Sequence, residues 1–457
     1  MTTIYAAQWV LPVTTEMIDD GAVAVAGERI AGVGPRSELR SRFPHAEIRD
    51  YGEAAIIPGL VNCHTHLELT VMRGYLEPEE SDFFAWLKKL TLTRMLHLTE
   101  DDIYVSALWG AVEAARAGVT TVGDASSSAV ESMRALRETG LRGTVYQETF
   151  GPDPAVAGEQ FEKLRERVGR LKGLESELVR VGVSPHAPYT VSAPLFELIA
   201  DYAAHESLPL MIHAAESEAE WQLIREGRGL FARNFSERGI PWRSPGVSPV
   251  QYLKDCGVLR AHTLLAHCIR VDERDVETIR ESGAAVAHCP KSNAKLGHGH
   301  APYHLFKDLV HGFGSDSVAS NNTCDLLEEA RFAALASRIA KHSADESETL
   351  GARDALRVAT QGGAHALGLD AGTLAEGRPA DLAIVRLDGA HQTPVHDPER
   401  ALVFASSGRD VVLTVIAGRE VYRDGRVTTV DEERLRARVK EIARKLRAVG
   451  GVSNINC

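Results

Sequence analysis

Short alternating or β-branched runs open the chain: IYAAQWVL, GAVAVAG, RIAGVG and AEIRDYG, each broken by glycine or charge. They predict strands over roughly the first sixty residues. The pattern changes at AAIIPGLVNCHTH. From there to about residue 365, apolar runs alternate with helical stretches. The runs are IIPGLVNCH, TTVGDA, RGTVYQE, LVRVGVSPH, LPLMIHAAE, TLLAHC, AAVAHCP and VHGFGSDS. Asp101–Ala117 and Ala193–His205 are examples of the helical stretches between them, and the acids opening DDIYVSALWG suit a helix N-terminus. Eight strand signals, each followed by helix, predict an α/β fold of the (β/α)8 TIM-barrel type.

Strand signals of the first kind return late, in ADLAIVRL, VVLTVIAG and REVYRDGRV. Strands before and after a barrel predict one small β-sandwich domain formed from both chain ends. The expected division is 1–58, 59–368 and 369–457: half a sandwich, the barrel, and the other half with a terminal helix. Asp431–Val449 carries Leu435, Val439, Ile442 and Leu446 as one apolar stripe, expected to pack on the barrel. Gly227–Val258, with GIPWRSPGVSP, predicts a long loop and helix over the barrel mouth.

Composition narrows the function classes. The chain has 457 residues, 44% of them hydrophobic and 25% charged, as in a folded soluble protein. Fifty-one basic against 63 acidic residues give a net charge of −12, which disfavours nucleic acid as a partner. No run is long enough to span a membrane, and the N-terminus does not read as a signal peptide. The 6 cysteines, Cys63, Cys256, Cys268, Cys289, Cys324 and Cys457, form no CxxC pair. They read as buried free thiols of a cytoplasmic protein.

Chemistry in such a barrel sits at the C-terminal ends of the strands. There the runs carry His64 and His66, Asp124, Gln147 and Glu148, His186, His213 with Glu216, His267, His288 and Asp316. Random placement would put Val or Ala at several of these positions. Residues two apart on a strand face the same way, so His64 and His66 can reach one cation. His213 and Asp316 would complete the set around one divalent metal, and imidazole suits zinc or iron(II). No lysine closes the third or fourth run to bridge a second metal. Glu216 is placed to carry a proton to a substrate nitrogen. His267 is a candidate to hold the attacking hydroxide. His186 and His288 are candidate substrate contacts. Glu218 and Glu220 read as solvated helix residues, His262 as structural, and His298 as surface or packing.

PGLVNCHTHLE, SPHAPYTVS, MIHAAES, LLAHC, VAHCPKSNAKL and GSDSVASNN, in that order, resemble the amidohydrolase superfamily. The likeness is to the branch of adenosine- and cytosine-type deaminases and triazine chlorohydrolases, and it covers nearly the whole chain. It implies that His64, His66, His213 and Asp316 bind zinc, that Glu216 shuttles a proton, that His267 assists the hydroxide and that His186 touches the substrate. Asp316 would also accept a proton from the water.

Within the branch the chain looks most like deaminases of 5′-substituted adenine nucleosides, of the methylthioadenosine/S-adenosylhomocysteine and 6-aminodeoxyfutalosine types. The methylthioadenosine enzymes carry a glutamate beyond their Trp-Leu pair. Here AWLKKLTLTRML has Met95 near that place. Glu68 and Arg73 in HTHLELTVMRG look more like the aminodeoxyfutalosine enzymes. Glu68, Arg73 and Trp86 are the expected substrate-side residues. The expected activity is conversion of a 6-amino to a 6-oxo purine with release of ammonia, by a homodimer or higher homo-oligomer acting on a small nucleoside. The rivals are a guanine deaminase, a triazine or chlorinated-ring hydrolase, an imidazolonepropionase-type ring hydrolase, and an inactive ligand-binding barrel.

Overall fold

The computed structural model describes residues 2–340 and 349–452. Strands β1 (Thr2–Val10), β2 (Ile18–Ala26) and β3 (Arg29–Pro35) form an antiparallel ladder. Strand β4 (Glu47–Asp50) and strand β5 (Ala54–Pro58) both run parallel to β1. After the barrel, β14 (Leu382–Arg386) pairs with β5, placing Leu382 opposite Pro58, and β15 (Val411–Ile416), β16 (Arg419–Arg423) and β17 (Arg426–Val427) extend the same sheet. The chain ends are thus joined by backbone hydrogen bonds into one nine-stranded sheet.

Alternation along β1 divides its apolar side chains between the two faces of this sheet. Tyr5 and Ala7 meet Val23, Ile56, Leu382 and Leu413 in one cluster, while Ile4 and Ala6 pack with Leu39 of the helix Arg36–Arg42. The β15–β16 hairpin turns on Ala417 and Gly418, both at positive φ. A Cβ at Gly418 would lie 1.9 Å from the Gly27 carbonyl oxygen, so that close approach of two turns requires glycine.

The barrel strands are β6 (Leu60–Thr65), β7 (Val119–Ser126), β8 (Arg142–Thr149), β9 (Val179–Pro185), β10 (Leu210–Ala214), β11 (Thr263–His267), β12 (Ala285–His288) and β13 (His311–Phe313). They pair in parallel in sequence order. A bridge between Thr65 and Asp316 closes the ring, and the Asp316 N–H donates to the His64 carbonyl at 2.9 Å. The closing contact is therefore made beside two of the candidate ligands. The helix Glu100–Arg116 starts from a Thr99 capping box and buries Ile103, Val105, Leu108 and Val112.

The terminal helix Glu432–Val452 lies against Glu100–Arg116. Leu435, Ile442 and Leu446 are buried, and Val439 is half-buried. Each buried side chain contributes about 1.5–3 kcal/mol. The exposed pair of Arg438 with Asp101 contributes about 0–1 kcal/mol, so the apolar stripe decides the docking. Arg142 of β8 and Asp381 beside β14 join barrel to sheet through a buried pair at 2.8 Å.

The stretch Gly227–Val258, between β10 and β11, carries the helices Leu230–Glu237 and Pro249–Asp255. Phe231 of the first stacks on Tyr189 with ring centres 4.3 Å apart, near the mouth of the barrel. Cys63, Cys256, Cys268, Cys289 and Cys324 are buried free thiols, whereas Cys457 lies outside the described residues. Among the described residues, no helix is long and apolar enough to cross a membrane.

Candidate active site

Three imidazoles converge at the C-terminal end of the barrel. The strand alternation of β6 aims His64 and His66 together, and β10 supplies His213. The Nε2 atoms of His66 and His213 are 3.2 Å apart, and the His64 ring centre is 4.8 Å from each of theirs. The ligand-capable nitrogens of all three lie within 4.8 Å of one another. Asp316 adds a carboxylate: its Oδ1 is 3.5 Å from His64 Nε2 and 3.6 Å from His66 Nε2.

The outer nitrogens explain the orientation. His213 Nδ1 donates to the His186 carbonyl at 2.9 Å, and His64 Nδ1 lies 3.1 Å from Met211 Sδ. With a hydrogen on Nδ1, each ring turns a lone pair on Nε2 inward. Burial lowers His64 to about 4 and holds His213 well below the usual imidazole range, so both are neutral near pH 7. For His66, burial is outweighed by Glu148, Asp316, Asp124 and Glu68, which raise it. Facing lone pairs ringed by carboxylates repel one another unless a cation lies between them. His64 Nε2 is buried with no hydrogen-bond partner, which is the signature of a donor reserved for an ion. The residues fit a divalent metal.

Asp316 is held at positive φ by its surroundings. Its Oδ2 accepts from Ser292 Oγ at 2.5 Å and Ser320 Oγ at 3.0 Å, and its Oδ1 from the Ser317 N–H at 2.6 Å. His267 ends β11, with Asn293 Nδ2 3.1 Å from its Nδ1 and its Nε2 facing the site. Ser292 and Asn293 both belong to the short helix Pro290–Lys295, so one element steadies Asp316 and His267 together.

Glu216 follows β10 across Ala215, which sits at positive φ. Its Oε1 is 3.6 Å from His267 Nε2 and 3.7 Å from His298 Nε2. Burial, with the Asp316 charge, pushes its carboxyl up to about 8. Glu220 anchors this turn: its two oxygens accept the Ala215 and Glu216 N–H groups, each at 2.9 Å. The solvated reading of Glu220 is therefore corrected. It is fully buried because those two N–H groups need acceptors, while Glu218 is exposed.

The substrate-side residues fall into two groups. His186 follows β9, half-buried, with Nδ1 2.8 Å from Thr190 Oγ1 and its ring 4.5 Å from His213. His288 ends β12 among the rings of Tyr303, Phe306 and Phe313, with Nδ1 buried and unpartnered. Trp86 stacks on Phe83, whose ring meets His298 edge-on at 4.6 Å, and its Nε1 is also unpartnered. Glu68 and Arg73, expected on substrate, are engaged by protein groups instead. The Glu68 carboxylate takes Ser126 Oγ at 2.8 Å, the Ser128 N–H at 2.9 Å and Arg94 at 3.3 Å. The Arg73 guanidinium pairs with Glu113 on the helix Glu100–Arg116.

Sequence reasoning missed His298, Asn293, Ser292 and Glu220 as parts of this centre. His298 lies in a loop, where alternation carries no information. For Glu220 a signal existed: Ser217 and Glu220 have capping-box spacing.

A closed parallel barrel with three imidazoles and an aspartate at its mouth, built on a sheet drawn from both chain ends, is the architecture of a metal-dependent hydrolase. A model of the amidohydrolase family matches residues 55–421, and the chain belongs to that family. A model of a bacterial imidazolonepropionase-like composite domain matches residues 21–46, across β2 and β3.

The chain is 35% identical over 441 residues to a 5-methylthioadenosine/S-adenosylhomocysteine deaminase of Syntrophobacter fumaroxidans, covering 94% of each. It is 36% identical over 380 residues to the enzyme of that name from Natronomonas pharaonis, covering 82% of this chain and 83% of the relative. Among solved structures it resembles an adenosine deaminase from Xanthomonas campestris with bound zinc, at 26% identity, a TM-score of 0.81 and 98% coverage of both chains. It also resembles an atrazine chlorohydrolase from Arthrobacter aurescens complexed with zinc, at 25% identity and a TM-score of 0.83, covering 96% of this chain and 100% of the other.

Proposed function

We propose that this protein is a zinc-dependent hydrolytic deaminase that converts the 6-amino group of an adenine nucleoside to a 6-oxo group and releases ammonia. The observation that carries the reading is Glu216: a buried carboxyl that keeps its proton near neutral pH, beside His267 and next to the imidazole cluster. The names of the relatives support an adenine nucleoside with a 5′ substituent.

His64, His66, His213 and Asp316 would hold the metal. Zinc suits this imidazole-rich set and iron(II) is the alternative. When bound, the ion supplies Lewis acidity that makes water a nucleophile near neutral pH. Asp316 accepts the proton of the attacking water and passes it to the departing amino group, which leaves as ammonia, while His267 Nε2 holds that water in line with C6. Glu216 donates its proton to N1 of the ring, which makes C6 more electrophilic and neutralises the charge arriving on the ring. Such general acid help is worth about 10²–10⁴-fold. His186 bonds the base or its ribose, and Trp86 and His288 wall the pocket. Glu68 shapes it from behind the serine turn.

The five buried free thiols support a reducing compartment, and we assign the protein to the cytoplasm. The exposed side chains of Leu92, Met95 and Leu96 on one helix support a homodimer or larger homo-oligomer. We keep the division at residues 58/59 and 368/369.

Adenosine, methylthioadenosine, S-adenosylhomocysteine and aminodeoxyfutalosine should be compared by the absorbance change from adenine to hypoxanthine. Turnover of at least one with release of ammonia is expected. Preference for guanine over all four, or chloride release from a chlorotriazine without ammonia, would overturn the reading.

A further inference from the structure

His298 is a buried imidazole to which the steps above give no task. It is 6% exposed and stands in the loop after the helix Pro290–Lys295. Its backbone N–H donates to the Asn293 carbonyl at 2.9 Å, and Gly297 and Gly299 on either side both have positive φ, so a tight turn carries the ring into the site. The ring meets Phe83 edge-on at 4.6 Å. Its Nε2 is buried, has no hydrogen-bond partner among the described residues and lies 3.7 Å from Glu216 Oε1. That separation is beyond hydrogen-bond reach. Burial lowers the imidazole to about 4, so it is neutral near pH 7 and offers a lone pair.

The surroundings of Glu216 indicate which ligand atom this nitrogen meets. Glu216 Oε2 accepts from the Tyr189 hydroxyl at 3.5 Å, so Oε1 is the oxygen turned to a ligand. His267 Nε2, 3.6 Å from the same Oε1, is also buried and unpartnered. The Asn293 amide nitrogen faces His267 Nδ1 at 3.1 Å, and an amide N–H can only donate. His267 therefore carries its hydrogen on Nε2 and is a donor toward the site. Two imidazoles thus flank one carboxyl oxygen, and the ring edge that takes the proton of Glu216 enters beside them. In an adenine that edge is N1, and the 6-amino group hangs from the next ring atom. Its hydrogens lie in the ring plane and need acceptors. Asp316 is engaged with the water, and His267 is a donor. The lone pair of His298 is the acceptor left beside Glu216 Oε1. An acceptor there suits an amine and repels the lone pairs of a halogen.

We infer that His298 is a specificity-determining residue, whose Nε2 accepts a hydrogen bond from the 6-amino group and so selects an amine over other leaving groups at C6. The inference rests on the nucleoside reading above. His298 neither gains nor loses a proton. As the C6–N bond breaks, its electron pair stays with nitrogen, Asp316 supplies the third hydrogen and ammonia leaves. The hydrogen left on the C6 oxygen returns to Glu216 as the 6-oxo group forms, replacing the one given to N1.

The test compares the preferred 6-amino nucleoside with its 6-chloro counterpart, which yields the same 6-oxo product but has no hydrogen to donate. His298→Leu should lower kcat/KM for the amino substrate by about 10- to 100-fold, with metal content unchanged. The rate on the chloro substrate should hold or rise. Where the chloro nucleoside is not turned over, its inhibition constant is read in place of its rate. His298→Gln, whose side-chain carbonyl is again an acceptor, should recover part of the loss. His298→Phe, also without an acceptor at that point, repeats the comparison if the leucine variant does not fold.

An equal loss on both substrates would overturn the inference, because it is the mark of a residue that only steadies Glu216 or the Phe83 wall. So would an unchanged rate on the amino substrate in the leucine variant. Loss of metal from that variant, read by elemental analysis, would overturn it too, by making His298 a support of the metal ligands. Absence of turnover on every adenine nucleoside by the native enzyme would remove the nucleoside reading, and this inference with it. Native turnover of the amino substrate without a change of leaving-group preference in the variants would remove this inference alone.

Discussion

Replacing Glu216 by glutamine isolates one proton. The amide keeps the volume and an acceptor oxygen but cannot donate an acidic hydrogen to the ring. With the carboxyl pushed up to about 8, roughly ten side chains are protonated for each ionised one at pH 7. The native enzyme therefore starts each turnover with its acid charged. Losing it should lower kcat by about 10²–10⁴-fold, or about 3–5 kcal/mol of barrier. KM and metal content should change little, because the converging imidazoles and Asp316 are untouched. The pH profile gives a second reading: the native rate should fall as pH rises through about 8 and the donor ionises, and the residual rate of the variant should lack that fall. Initial rates by absorbance across that range, together with elemental analysis, make the measurement. Near-native turnover in a fully metallated variant would refute the proton-donor role.

His66→Ala removes one of the converging nitrogens and should leave only a small fraction of the native metal content; full occupancy by elemental analysis would count against the ligand assignment. Asp381→Ala strips Arg142 of its partner and the Ala417 N–H of its acceptor at 2.7 Å, in a site where Asp381 is 2% exposed. It should cost about 3–5 kcal/mol in denaturant unfolding, and a loss below about 1 kcal/mol would mean the pair is no more than a surface contact. Glu329, buried beneath Asn321, is pushed up to about 8 from an ordinary 4.5, chiefly by burial. Its contribution to stability is complete below the ordinary value and is lost as pH rises through about 8, because the folded state keeps a proton the unfolded chain releases. Glu329→Gln should thus gain Tm relative to native protein as pH rises through that window, and a pH-independent Tm difference would refute it.

Much of the molecule was legible along the chain because strands and helices repeat with fixed periods. Each of the eight apolar runs of the barrel overlaps an observed strand, although the eighth strand shrinks to His311–Phe313 before the turn at Asp316. His64 and His66 could be paired from sequence because alternation fixes which way both point. Glu216 was readable by its place just beyond a strand end. His298 was not, because a loop has no period and its approach to Glu216 depends on how the segment after Lys295 folds back.

Local pattern therefore determined the class of fold, the joining of the two ends and the residue types gathered at the mouth. The partner of each side chain was a tertiary decision. Glu68, Glu148 and Glu216 sit alike beyond or near strand ends, yet serine hydroxyls and Arg94 absorb the first, a free oxygen remains on the second, and burial keeps a proton on the third. Carboxyl chemistry is set by which donors and charges lie within a few ångströms. Those neighbours come from strands far apart in sequence and meet only when the ring closes at Thr65 and Asp316.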